Sequence, residues 1–161
     1  MNKLNQYLVF TLDEQRYALY LSAVERVVRI AELTPLPEAP DIVLGIINLQ
    51  GRIIPVVNIR RRFNLPDREI EVSNQMIMSH TSKRVLALLV DVVEGIVERP
   101  EQEVILVEKI LPDIEYVEGV VKLEDGLILI HDLERFLSLE EERKLEDAMK
   151  EGAVNQGAEN G

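Results

Sequence analysis

The segment that decides the fold reads Gly45-Ile-Ile-Asn-Leu-Gln-Gly-Arg-Ile-Ile-Pro-Val-Val-Asn-Ile-Arg-Arg-Arg-Phe63. Its isoleucine and valine residues are typical of half-buried β-strands, which predicts one strand over Ile46–Leu49 and a second over Arg52–Ile59. The strands meet at Gln50-Gly51, where glycine supplies the positive φ angle that a tight hairpin turn requires. Pro55 cannot donate a hydrogen bond to a neighbouring strand, so we expect an edge position or a bulge there.

Short strands predominate along the rest of the chain. Aliphatic runs bounded by turn residues predict further strands over Gln6–Leu12, Gln15–Tyr20, Gln75–His80, Arg84–Val93, Glu115–Leu123 and Leu127–Ile130. Gly95 follows one of these runs and indicates a bend or a bulge. Many short strands with few helices indicate an all-β chain that is built as barrels or as a sandwich.

The strongest helix signal lies near the C-terminal end of the sequence. Ser138 and Glu141 have the spacing of a capping box, and the acidic residues of the first turn interact favourably with the helix dipole. Gly152 is expected to end the helix, and the small polar residues beyond it are expected to be disordered. The predicted organisation is a folded domain over 6–137, an acidic helix over 138–151 and a disordered tail over 152–161.

Composition argues against several classes of protein. The 161 residues carry a net charge of −11, which disfavours a protein that binds mainly nucleic acid or anionic lipid. The absence of cysteine excludes disulfides, thiolate metal sites and cysteine nucleophiles. No apolar run approaches the ~18 residues of a membrane helix, and Met1–Gln6 is too short and polar to be a signal peptide. We therefore expect a cytoplasmic protein without membrane insertion.

Candidate catalytic side chains are few. His80 and His131 lack the further ligands that a metal site needs, and His131 and Asp132 are expected to point to opposite faces of a strand. Three carboxylates interrupt aliphatic strands at solvent-facing or bent positions, namely Asp91, Glu94 and Glu98. No phosphate-binding glycine loop or nucleophilic serine motif is present. We predict no catalytic, cofactor-binding or metal-binding residue and no cofactor; the alternative is an enzymatic or small-ligand-binding barrel.

Basic residues cluster within and after the hairpin of an otherwise acidic chain. This group, the arginine patch, consists of Arg52, Arg60, Arg61 and Arg62, with Arg68 nearby. It would attract and orient an acidic partner surface, and the alternative is an ordinary solvated face of the barrel. A small barrel that binds nucleic acid is a weaker alternative, because no aromatic residues that stack on bases are interleaved with the arginines.

Six segments together resemble the CheW family of chemotaxis coupling proteins, and they follow the family order: Gln6–Tyr20, Val24–Val28, Pro35–Pro40, Gly45–Phe63, Leu88–Val93 and Gly126–Leu133. The resemblance implies two packed SH3-like five-stranded β-barrel subdomains with a hydrophobic groove between them. It also implies an adaptor without catalysis or cofactor. Such an adaptor joins the regulatory domain of a CheA-type histidine kinase to the cytoplasmic tips of chemoreceptors and is recruited to membrane receptor arrays.

The resemblance also implies where a receptor would be contacted. Carried over by position, the candidate residues are Val24, Arg26, Val27, Leu49, Gln50, Gly51, Met76 and Ile77. Two of them depart from the family pattern, since Gln50 stands where the turn usually has arginine and Arg26 stands where an acid is frequent. A neutral amide cannot supply the bidentate charged contact of arginine, so both members of a possible acid–arginine pair are altered.

Overall fold

The computed structural model describes residues 3–106 and 116–159, with side chains described as far as Glu151. Within these ranges most residues belong to strands. The strands are β1 (Leu4–Leu12), β2 (Gln15–Tyr20), β3 (Val24–Arg29), β4 (Val43–Leu49), β5 (Arg52–Val57), β6 (Gln75–His80), β7 (Val85–Val90), β8 (Val92–Pro100), β9 (Val104–Leu106), β10 (Val117–Leu123) and β11 (Gly126–His131). The α-helices are α1 (Ile59–Arg62) and α2 (Leu139–Glu159).

The described strands form two sheets. Sheet A has six strands in the order β8-β1-β2-β11-β10-β9, and sheet B has five in the order β3-β6-β7-β5-β4. The pairs β2–β11 and β5–β7 are parallel, and the other neighbours are antiparallel. Sheet B comes from one continuous stretch of chain, whereas sheet A combines the first hairpin with the strands after β7. The all-β prediction is confirmed, although sheet A has one strand more than the five expected.

Hydrophobic clusters explain how the sheets pack. Each sheet encloses a cluster of its own, to which Tyr7 and Val9 contribute in sheet A and Met76 contributes in sheet B. A further cluster takes residues from both sheets, including Leu8 and Phe10 of β1. Successive side chains of a strand point to opposite faces, so β1 is buried on both sides. Its central residues therefore read as a continuous apolar run and not as an alternation.

The deciding hairpin forms β4 and β5. Its predicted turn at Gln50-Gly51 is confirmed, because Leu49 pairs directly with Arg52 across the two turn residues. The edge position or bulge predicted for Pro55 is wrong. Strand β5 is an inner strand between β4 and β7, and the bulge of this hairpin lies in β4, where the register shifts between Val43 and Gly45. The parallel pairing with β7 begins at Val56, one residue after the proline, so the missing N–H precedes that ladder.

One predicted strand is divided, and one predicted irregularity is confirmed. Asp91 separates β7 from β8, so the strand expected over Arg84–Val93 is two strands. Val9 of β1 pairs with Gly95 of β8, and the next residue, Phe10, pairs with Val93. Glu94 therefore has no opposite residue in the strand pairing. This is a β-bulge at the position that the glycine indicated.

Helix α2 begins at the predicted capping box and packs on the barrels. The backbone N–H of Ser138 donates to Glu141 Oε1 at 2.9 Å, and Ser138 Oγ accepts from the backbone N–H of Glu141 at 3.1 Å. Leu145 and Ala148 are buried in the cluster that both sheets share. The first turns of α2 therefore belong to the core of the domain.

The C-terminal helix is longer than the sequence predicts. It ends at Glu159, so the expected stop at Gly152 and the expected disorder over residues 152–159 are corrected. A glycine inside a helix costs only about 1 kcal/mol relative to alanine, and no proline follows this one. Residues 160–161 of the predicted tail, and Glu115 at the start of a predicted strand, lie outside the described residues.

Candidate functional site

Strand β3 and the β4–β5 turn form one surface on sheet B. The strands β3 and β4 are the two outermost strands of this sheet. The sheet is curled so far that Arg52, the first residue of β5, reaches Glu25 on β3, with Arg52 Nη1 lying 3.2 Å from Glu25 Oε2. We call the residues around this contact, Val24–Val27 and Leu49–Arg52, the β3–turn surface.

The turn of this surface is tightly constrained. Gln50 and Gly51 have φ angles of 54° and 86°, and two successive positive values are the signature of a type I′ hairpin turn. Asn48 Oδ1 accepts a hydrogen bond from the backbone N–H of Gly51 at 2.9 Å. Gln50 is exposed, whereas Leu49 is half-buried against the cluster inside sheet B. The turn therefore presents a polar amide beside an aliphatic side chain.

Six of the eight predicted receptor-contact residues reach solvent on the β3–turn surface: Val24, Arg26, Val27, Leu49, Gln50 and Gly51. The other two, Met76 and Ile77, are fully buried on β6, where they pair with Val28 and Val27 of β3. Strand β6 is an inner strand of sheet B. Met76 and Ile77 therefore support β3 from within, and their prediction as contact residues is corrected.

An acid–arginine pair does occur on this surface, but its arginine is Arg52, which the sequence analysis placed in the arginine patch, and its acid is Glu25 of the same chain. Arg26 and Gln50 depart from the family pattern, and the neighbouring acid Glu25 instead pairs with Arg52. The signal in the sequence was an acid next to Arg26 and an arginine two residues after Gln50. The side chains of Glu25 and Arg52 are 33% and 50% exposed, so their pairing contributes only ~0.2–1 kcal/mol. Its main effect is to fix the charge pattern that the surface presents.

The arginine patch does not form one exposed surface. Arg60 is buried, and its guanidinium spans two carboxylates, with Nη2 lying 2.6 Å from Asp91 Oδ1 and Nη1 lying 2.9 Å from Asp13 Oδ1. Asp13 lies in the β1–β2 turn of sheet A, and Asp91 joins β7 of sheet B to β8 of sheet A. These contacts tie the two sheets together. The prediction that Arg60 meets an acidic partner is therefore wrong.

The other members of the patch also have partners within the chain. Arg62 Nη2 lies 2.7 Å from Glu141 Oε2 of helix α2, and Arg61 Nε lies 3.4 Å from Asp67 Oδ1. Within the patch, Arg61 and Arg52 are exposed, whereas Arg62 is half-buried. Adjacent arginines in the sequence thus point to separate acids, and their charges do not add up to one basic surface.

His131 is held in an aromatic cluster. Its ring centre lies 5.2 Å from that of Phe63 and 5.2 Å from that of Phe136, both in edge-on arrangements. Burial, and then the positive charge of Arg62, lowers the pKa of His131 from 6.5 to about 3, so the ring is neutral at pH 7. Neither ring nitrogen has a hydrogen-bond partner among the described residues. The histidine therefore serves packing and is not in contact with solvent.

The carboxylates that the sequence singled out do not converge. Asp91 belongs to the Arg60 network, Glu94 lies 3.3 Å from Arg16, and Glu98 accepts a hydrogen bond from Gln6 at 3.1 Å. In the part of the chain that the structure describes, no three histidine, aspartate or glutamate side chains are grouped as ligands for a metal ion. The one site that brings several predicted residues together is the β3–turn surface.

The sequence matches the family model of the CheW-like domain over residues 6–141, which is most of its length. The chain belongs to the CheW family. The chemotaxis protein CheW of Thermotoga maritima is 30% identical over 132 residues, which cover 82% of this chain and 87% of that protein. The chemotaxis protein CheW of Treponema pallidum is 26% identical over 146 residues, which cover 87% of this chain and 86% of that protein.

A solved structure of the CheW family has the same fold. The scaffolding protein TtCheW from Thermoanaerobacter tengcongensis aligns with a TM-score of 0.76 and 29% identity, over 88% of this chain and 96% of that one. The two sheets of this chain are accordingly two packed SH3-like barrel subdomains, with α2 added at the C-terminal end. CheW-family membership makes the chain an adaptor of chemotaxis signalling. Over residues 3–106 and 116–159, no helix has the length and apolar character needed to cross a membrane.

Proposed function

We propose that this adaptor joins the cytoplasmic tips of chemoreceptors to the regulatory domain of a CheA-type histidine kinase, and that it acts by binding alone. Receptor contact is assigned to the β3–turn surface. Half-buried Val24, Val27 and Leu49 lie there beside exposed Arg26 and Gln50. An apolar centre with a polar rim is the usual composition of a protein-binding surface. An amphipathic receptor helix would lay its apolar face across the aliphatic residues.

The pair formed by Glu25 and Arg52 is the observation that most supports this assignment. It connects β3 to the β4–β5 turn, so the two parts of the surface act as one unit. It also places a negative and a positive charge at fixed positions next to the aliphatic residues. Charged side chains of a receptor helix would select one orientation on this pattern, because complementary charges contribute more to specificity than to affinity.

The kinase is assigned to sheet A. Strand β8 is one of the two outermost strands of this sheet among the described residues, and Val92 and Ile96 are 49% and 57% exposed on it. An exposed strand edge with aliphatic side chains can pair with another β-barrel. The receptor and the kinase would then occupy different subdomains and could be bound at the same time.

Signal transfer in this proposal is geometric and needs no cofactor. The adaptor would fix the position of the kinase relative to the receptor, so a change in the receptor would alter the constraint on the kinase. Individually weak contacts are sufficient, because many copies in an array raise the effective concentration of each partner. The protein would be cytoplasmic and would reach the membrane through the receptor.

Binding measurements with a receptor cytoplasmic hairpin and a kinase regulatory domain test the two assignments separately. Val27→Glu is expected to weaken receptor binding at least about tenfold and to leave kinase binding unchanged, because it places a charge in the apolar centre. Ile96→Glu is expected to have the opposite effect. Val72→Glu is the matched control, since Val72 is 90% exposed in the loop before β6 and lies on neither surface.

Two outcomes separate the function from the surfaces. If the unmodified protein binds neither partner, the proposed function is wrong. If it binds both, but Val27→Glu and Ile96→Glu behave like Val72→Glu, the function is retained and the assigned surfaces are wrong.

A further inference from the structure

A pocket of about 430 Å³ lies on sheet A and shares no lining residue with the β3–turn surface. Tyr7 and Tyr20 form one side of it; they pair directly across β1 and β2, and their ring centres lie 5.2 Å apart. Glu101 and Glu118 add two carboxylates, and strand β9 adds an aliphatic wall over Val104–Leu106. The pocket thus combines aromatic rings, negative charge and an apolar side.

The position of Glu118 results from an irregularity in β10. The register between β10 and β11 shifts between Val117 and Gly119, so Glu118 is an extra residue in the strand. A bulge of this kind changes the direction of a side chain relative to a regular strand. Gly119 also allows β9 to approach, because a Cβ atom there would lie 2.6 Å from Val104 Cγ1. The local backbone thus brings the carboxylate and the aliphatic wall to the same pocket.

The electrostatics of the pocket favour a positively charged ligand. Among the described residues, no basic side chain lines it. Partial burial, and then the negative charge of Asp132, raises the pKa of Glu118 against the opposing effect of the hydrogen bond from Tyr20, so a cation beside this carboxylate would be favoured. The hydroxyl group of Tyr20 lies within hydrogen-bonding reach of both the buried Tyr7 hydroxyl group and the Glu118 carboxylate, so the rings and the carboxylate form one connected group. A cationic donor would neutralise the carboxylate and lie against the ring of Tyr20, which is partly exposed.

We propose that this pocket binds the guanidinium group of an arginine side chain that a protein partner presents. A planar guanidinium can stack on an aromatic ring and donate hydrogen bonds to a carboxylate at the same time. The proposal does not depend on the partners assigned above to the β3–turn surface and to β8.

The aliphatic wall favours a protein partner over a small free cation. Strand β9 lies at the edge of sheet A opposite to β8 among the described residues, and Leu106 is 47% exposed on it. A small cation would gain nothing from this wall, whereas a peptide segment can place apolar residues along it next to its arginine. The net charge of −11 also attracts basic segments to the protein.

Tyrosine fluorescence of the full chain provides a direct readout. The protein has four tyrosines and no tryptophan, so the two tyrosines of the pocket contribute a large share of the signal. The probes are the peptide acetyl-Val-Thr-Arg-Val-Thr-amide, the same peptide with neutral citrulline in place of arginine, and spermidine. The variant Glu118→Gln keeps the size of the side chain and removes its charge. Glu124→Gln, in the exposed β10–β11 turn, is the matched control.

The arginine peptide is expected to bind at least about tenfold more tightly than the citrulline peptide, and Glu118→Gln is expected to remove this difference while Glu124→Gln retains it. Equal binding of the two peptides, or no binding of either, would overturn the proposal. Spermidine that binds as tightly as the arginine peptide would also overturn it, because the aliphatic wall would then contribute nothing. None of these outcomes depends on receptor or kinase binding, so the proposed function is tested separately.

Discussion

Arg60→Met removes a buried charge, keeps most of the length of the side chain and thereby tests how the two sheets are held together. In the unmodified protein the Arg60 guanidinium lies 2.6 Å from Asp91 and 2.9 Å from Asp13, and the side chain is only 7% exposed. The two carboxylates are close neighbours, since the backbone N–H of Asp13 donates to Asp91 Oδ2 at 3.0 Å. Without the arginine they repel each other in a partly buried place where water screens poorly.

The size of the effect follows from the exposure of these groups. Removing one partner of a buried ion pair typically costs about 3–5 kcal/mol. The lower end applies here, because Asp13 and Asp91 are 20% and 21% exposed and Arg68 also lies 2.8 Å from Asp13. We therefore expect the free energy of unfolding to fall by about 3 kcal/mol. For a chain of this length that loss lowers Tm by about 6–12 °C.

Urea unfolding followed by circular dichroism measures the loss. Arg61→Met is the matched control, since Arg61 is the next residue, is 42% exposed and pairs with the exposed Asp67. This variant is expected to lower the free energy of unfolding by less than about 1 kcal/mol. Combining Arg60→Met with Asp13→Asn and Asp91→Asn is expected to recover most of the stability, because no unpaired charge is then buried. If Arg60→Met is as stable as Arg61→Met, the network does not hold the sheets together.

Three further predictions concern the turn, the surface ion pair and the buried histidine. Gly51→Val is expected to lower the free energy of unfolding by about 1–2 kcal/mol in urea titrations, because a β-branched residue disfavours a positive φ, and Gly51→Asn is expected to cost less. Charge reversal at Glu25 or at Arg52 places like charges together and is expected to weaken binding of a receptor hairpin. Reversal of both should restore the ion pair and the stability of the domain but not receptor binding, because the charge pattern is then inverted; a double-mutant cycle in urea unfolding without coupling would contradict this. The pKa of His131 is lower in the folded state, about 3, than its ordinary value of 6.5. The neutral ring therefore costs no stability above pH 6.5. As the pH falls from 6.5 toward 3, the free energy of unfolding decreases, and at pH 5 it is lower by about 2 kcal/mol. His131→Leu should remove this part of the pH dependence, and an unchanged slope between pH 7 and pH 5 would show that the ring is not kept neutral.

The features that the sequence predicts correctly have local determinants. The turn at Gln50-Gly51 depends on a glycine and on the hydrogen bond from the backbone of Gly51 to Asn48. The start of α2 depends on Ser138 and Glu141, which are three residues apart. In each case the residues that decide the geometry are three positions apart in the sequence, so the sequence alone is sufficient to predict the turn and the helix start.

The features that the sequence does not predict depend on distant parts of the chain. Asp13 and Asp91 are 78 residues apart, and only the packing of the two sheets brings both of them to Arg60. A run of arginines therefore resembles a basic surface in the sequence, although its members are paired with separate acids of the same chain. The expected edge position of Pro55 fails for a related reason, because the point at which β7 begins to pair is set by tertiary structure.

The division of sheet A between the two ends of the chain determines the order in which the subdomains can be completed during synthesis. Once β7 has left the ribosome, every strand of sheet B is present, whereas sheet A consists of the β1–β2 hairpin alone. Gln15 and Leu127, which form a hydrogen bond across β2 and β11, are 112 residues apart. Pairing over such a separation is slow, so the apolar faces of the first hairpin stay uncovered until the last strands arrive. A nascent or truncated chain that stops after β7 is therefore expected to aggregate, even though one of its barrels has all of its strands.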